Sequence, residues 1–100
     1  MTPIYKSSGI YLGFIHNNYL FSRDGIYLGW MNGQNYVWDT HGNYAGQLKQ
    51  YNARNYIVRH VYNLAPVSKF PQPMPVTPAL PNPPPNVPPI PLPIGEQDAF

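Results

Sequence analysis

The chain has no cysteine, few charges and no long apolar run, and each lack removes a class of function. Without cysteine there is neither a disulfide framework nor a thiolate metal site, which suits a reducing compartment. Lys and Arg total 6 against 4 Asp and Glu, for a net charge of +2. The cations of the first two thirds stand singly as Lys6, Arg23, Lys49, Arg54 and Arg59. A nucleic-acid reader needs a dense basic stripe, so nucleic acid is not an expected partner. No 18 consecutive residues are apolar and the start shows no basic-then-apolar leader pattern, so no transmembrane segment and a cytoplasmic address are expected.

Chemistry is equally sparse. The only acids before the proline-rich stretch, Asp24 and Asp39, stand 15 residues apart and do not form a carboxylate pair for acid–base work. His16, His41 and His60 lack metal-ligand spacing, and His41 and Asp24 sit where turn residues belong. No serine lies in a nucleophile elbow, and no glycine-rich phosphate loop precedes a helix. Neither an enzyme nor a cofactor is expected.

What is present divides the chain in two. Thirteen of the 14 prolines lie between Pro66 and Pro93, whereas all 9 tyrosines and both tryptophans come at or before Tyr62. A domain over residues 1–65 and a proline-rich tail over 66–100 are therefore expected. Within the domain a short unit repeats. Ile10-Tyr11-Leu12-Gly13-Phe14-Ile15 returns as Ile26-Tyr27-Leu28-Gly29-Trp30-Met31 and, more loosely, as Asn43-Tyr44-Ala45-Gly46-Gln47-Leu48. Each copy follows a second apolar run, at Pro3 to Lys6, Tyr19 to Ser22 and Tyr36 to Asp39, and a fourth run starts at Tyr56. The units are about 3–18, 19–35, 36–55 and 56–65.

Three-residue connectors join the paired runs, each ending in a glycine: Gly9, Gly25 and Gly42. A hairpin loop of that length places its last residue in the left-handed region, which glycine enters freely, so the predicted structure is antiparallel β throughout. The links between units, including the stretch from Lys49 to Asn55, read as turns. Gly13, Gly29 and Gly46 lie inside strands, where glycine marks a bend or a close backbone approach, and their recurrence implies hairpins set around an axis. Simple alternation would put Ile10, Leu12 and Phe14 on one face and Tyr11, Gly13 and Ile15 on the other. The fourth unit has neither glycine and reads as a variant closing unit.

These units, with the pattern from Tyr19 to Gly29 repeated from Tyr36 to Gly46 and the proline-dense ending from Pro71 to Pro93, resemble the four-fold β-flower family. The resemblance implies a shallow pseudo-four-fold barrel of short hairpin petals. It carries no activity with it, although an analogy to shallow barrels of the Tubby type points to a lipid or small apolar ligand. Gln47, where Phe14 and Trp30 stand in the other units, breaks the symmetry.

In the tail, Pro75, Pro78, Pro81 and Pro84, and then Pro85, Pro88 and Pro91, keep the three-residue period of polyproline II. Extended at about 3.1 Å per residue it would reach roughly 80 Å. Phe70, Met74, Val76, Leu80, Val87, Ile90, Leu92 and Ile94 make it too apolar for a solvated linker, so it is expected against its own domain or a protein partner. Three readings of function follow. The first is a non-enzymatic binding or scaffolding module. The second is a barrel holding a small apolar ligand in a channel lined by Leu12, Ile15, Leu28 and Met31, with Tyr11, Tyr27 and Tyr44 as a candidate ring at its mouth, although packing is the preferred role for those tyrosines. The third, from Gly29-Trp30 followed by Tyr36-Val37-Trp38 and Gly42, is a cell-wall glycan or choline binder.

Overall fold

The computed structural model describes residues 1–61 and 66–100, so the boundary expected near Ala65 and the fourth unit's stretch from Tyr62 lie outside the described residues. Eight strands form one sheet: β1 (Thr2–Tyr5), β2 (Tyr11–His16), β3 (Tyr19–Ser22), β4 (Tyr27–Met31), β5 (Tyr36–Asp39), β6 (Tyr44–Tyr51), β7 (Arg54–His60) and β8 (Glu96–Asp98). Consecutive strands pair antiparallel, and β1 also pairs parallel with β7 through Ile4–Asn55 and Tyr5–Tyr56. That pairing closes seven strands into a barrel, with β8 added outside the ring.

Loop chemistry sets the connections. In the first petal the amide of Lys6 donates to Ile10 and that of Gly9 to Lys6, with Gly9 at φ 89°, the three-residue hairpin loop expected from the sequence. The second and third petals repeat it. Ser22 Oγ accepts from the amides of Asp24 and Ile26, and Asp39 Oδ1 from those of His41 and Asn43, so these two side chains brace their own turns. Two of the links between petals are shorter than expected. Asn17-Asn18 and Asn52-Ala53 are two-residue turns with both φ positive, and β6 and β7 run on through most of the stretch from Lys49 to Asn55.

The expected alternation of faces does not hold, because each regular petal carries a bulge. The register slips at Leu12, Leu28 and Ala45, the residues just before the strand glycines. A bulge sets two residues against one and shifts every later side chain to the other face. Leu12 therefore shares a face with Ile15, not with Phe14. That face fills the barrel: Ile4, Ile15, Leu20, Val37 and Ile57 are buried together, with Leu12, Leu28, Met31, Ala45 and Leu48 against them. Tyr11 and Phe14 face outward, onto Tyr5 and Phe21.

The strand glycines stand where neighbouring petals crowd. A Cβ on Gly13 would run into the carbonyl oxygen of Phe21, and one on Gly29 into that of Trp38. At Gly46 the added atom would lie 2.6 Å from the carbonyl oxygen of Val58.

The fourth petal is built from two distant pieces. β7 supplies its first strand, and β8 supplies the second from the far end of the chain, through Val58–Asp98, Arg59–Gln97 and His60–Glu96. By register Asp98 takes the place held by Tyr11, Tyr27 and Tyr44, and Ala99 that of Leu12, Leu28 and Ala45. The Ala99 amide donates to the Ile57 carbonyl at 3.0 Å, and Ala99 and Phe100 pack on the barrel interior.

Candidate functional site

Between β7 and β8 the proline-rich segment travels around the flower. It meets the petals in reverse order. The Lys69 amide donates to the Gly42 carbonyl at 2.9 Å, with the Lys69 ammonium 4.6 Å above the Trp38 ring. Thr77 Oγ1 donates to the Gly25 carbonyl at 3.4 Å, and the Val87 amide to the Gly9 carbonyl at 2.9 Å. Asn86 Oδ1 accepts from the Tyr11 amide, the Ile90 amide donates to Ser7, and the chain then turns at Gly95 into β8. Proline has no N–H, so such a belt has few donors, and it directs those of Lys69, Val87 and Ile90 to petal turns. Gly9 and Gly42 admit it: a Cβ on either would strike the carbonyl of Val87 or Lys69.

The belt is seated unevenly. Val87, Ile90 and Leu92 lie against the outward cluster of Tyr5, Tyr11, Tyr56 and Val58. Phe70 and Val76 are each 93% exposed and Met74 77%, although Lys69 and Thr77 pin the chain on either side. Residues 70–76 are thus a bridge between two anchors that presents apolar side chains and Pro71 and Pro73 to solvent. Apolar groups left together in water mark an interaction surface. Composition alone assigns the whole tail one behaviour. A finer signal is there: the three-residue proline period starts only at Pro75, near the end of the exposed stretch.

At the other end of the belt sits a polar clasp. Glu96 Oε2 lies 3.0 Å from the Lys49 ammonium and Oε1 accepts from the Tyr51 hydroxyl at 2.7 Å, with the Glu96 side chain only 6% exposed. Burial pushes the Glu96 carboxyl up, but the hydrogen bonds from Tyr51 and Lys49 and the charges of Lys49 and His60 outweigh it and hold it below the usual range. Burial and the bond to Glu96 push the Tyr51 phenol up to about 12. Asp98 accepts from both the amide and the hydroxyl of Ser7, bracing the one regular turn that opens on Lys6 rather than on Ser or Asp.

The residues expected to line a ligand site separate onto two faces. Leu12, Ile15, Leu28 and Met31 lie on the axis among buried side chains. Tyr11, Tyr27 and Tyr44 lie on the outer face, one per petal, edge-on or tilted against Tyr5, Phe21 and Trp38. Burial raises the pKa of all three phenols. Among the described residues no group of three or more His, Asp or Glu could hold a metal ion, and no helix is long and apolar enough to cross a membrane.

A family model described as "4-fold beta flower protein" matches residues 2–93. No curated protein and no solved structure matches the chain.

Proposed function

The chain belongs to the 4-fold beta flower family, and from that premise we propose that it is a non-enzymatic protein-binding module in which the flower holds residues 70–76 of its belt ready for a partner's aromatic-lined groove. The family match runs through the belt as well as the petals, so the two are one pattern. The observation that carries the reading is the 93% exposure of Phe70 and Val76 between the anchors at Lys69 and Thr77. A proline-rich strand suits such a groove because its backbone is stiff before binding, and pinning both ends lowers the ordering cost further. A small apolar ligand in the central channel has less behind it, since Ile4, Leu20, Val37 and Ile57 occupy the barrel interior.

Titration of the full chain against a panel of SH3, WW and EVH1 domains tests the proposal by calorimetry. One class is expected to bind with a dissociation constant of about 1–100 μM. Replacing Phe70, Met74 and Val76 together by Ala is expected to weaken that binding at least ~10-fold with the melting temperature unchanged, because exposed side chains contribute little to folding. Failure of every domain to bind, or equal binding by the triple variant, overturns it.

A further inference from the structure

Where two petals meet, the outward face is sealed by a pair of aromatic rings at three of the four seams. Phe14 stacks on Phe21 at 5.4 Å, Trp30 on Trp38 at 6.2 Å, and Tyr5 lies against Tyr56 at 6.4 Å across the parallel seam. The remaining seam, β6 with β7, pairs Gln47 with Val58 at the same register. An amide and an isopropyl group fill much less space than two rings, and a cavity of about 120 Å³ opens there. Tyr36, Tyr44, Gln47, Lys49, Val58 and His60 line it, with Pro66 of the belt at its edge.

We propose that this seam is a binding site for a single phenolic ring, either a free phenol or a tyrosine side chain, which takes the place of the missing aromatic. Size limits the ligand to one ring: a closed cavity of about 150 Å³ holds benzene, and this one, of about 120 Å³ on the outer face, admits one ring whose substituents project to solvent. The walls suit an aromatic face, because Tyr36 and Tyr44, which meet edge-on at 5.9 Å with their planes at 76°, both line the cavity. The polar lining selects a ring with a hydrogen-bonding edge, since the Gln47 amide offers both a donor and an acceptor to a hydroxyl. Charge selects a neutral ligand. The Lys49 ammonium is held 3.0 Å from the Glu96 carboxylate, so its charge is already balanced and an anion gains little there.

The seam lies on the outer face between the third and fourth petals, away from the barrel interior and distinct from residues 70–76, so it stands independently of the proposed docking strand. The sequence carries its trace in Gln47, which departs from the aromatic of the other units.

Nuclear magnetic resonance titration of the full chain with p-cresol, and separately with N-acetyltyrosinamide, tests it. Saturable shifts at the amides of Gln47 and Val58 with dissociation constants of about 1 mM or tighter are expected for p-cresol, and shifts with both ligands mean that a peptide-borne tyrosine also fits. Gln47→Trp refills the seam and is expected to weaken binding at least ~10-fold. Val58→Phe fills it from the opposite strand and gives the same readout should the first variant lose its native spectrum. No saturable shift with either probe, or equal shifts in a folded seam-filling variant, overturns the proposal.

Discussion

A methyl group added at Gly13 would collide with the backbone of the next petal, whereas one added at Gly33 would meet nothing within 4 Å. The contrast separates two reasons for glycine in one chain. Gly13→Ala forces apart strands whose spacing is fixed by hydrogen bonds and is expected to cost about 3 kcal/mol or more. Gly33→Ala is expected to be neutral or to stabilise by about 0.5 kcal/mol, by restricting the unfolded chain. Chemical denaturation of both variants reads the difference. The recurrence of Gly13, Gly29 and Gly46 made the crowded seams legible in the sequence. The bulges beside them were not, because Leu12, Leu28 and Ala45 are ordinary strand residues and a register slip leaves no mark in composition. Strict alternation consequently put Leu12 with Phe14, and the slip reversed it.

Among the elements, β8 was the least legible. Glu96-Gln97-Asp98 has the weakest strand propensity in the fold, follows the proline-rich stretch and shares no residue with the regular units. Its place is set by partners far away in sequence, Lys49 and Tyr51 for Glu96 and Ser7 for Asp98. These partners make the clasp sensitive to pH in both directions. The Glu96 carboxyl is held below its ordinary value of 4.5, so its contribution is complete above that value and is lost as pH falls through the lower folded value. Tyr51 behaves oppositely. Its phenol keeps the proton to about 12 in the folded chain and releases it near 10.0 when unfolded, so that stability is lost as pH rises across this interval. Urea midpoints followed over pH are expected to decline at both ends. Glu96→Gln should flatten the acid limb and Tyr51→Phe should reduce the alkaline one; an unchanged acid limb in Glu96→Gln would show that the clasp does not bear on folding.

At the scale of the whole molecule, the chain is a ring tied by its own tail. Petals one to three were readable because each hairpin is local, with its loop, glycine and aromatic residues within about 16 residues. The fourth petal was not, because its halves are separated by the proline-rich segment whose path depends on contacts with all the others. The belt crosses the turns at Gly42, Gly25 and Gly9 before it delivers β8 to β7, and the Cα atoms span 35 × 35 × 18 Å. A ring closed this way also gives residues 70–76 fixed ends. The arrangement stands or falls on whether the last residues are bound into the sheet. Native-state hydrogen exchange at Ala99, next to the last residue and donor to the Ile57 carbonyl, measures it directly. Protection at least ~100-fold above the free-chain rate is expected if the fourth petal is completed from the end of the chain. Exchange of Ala99 at the free-chain rate while Ile57 and Val58 stay protected would contradict it.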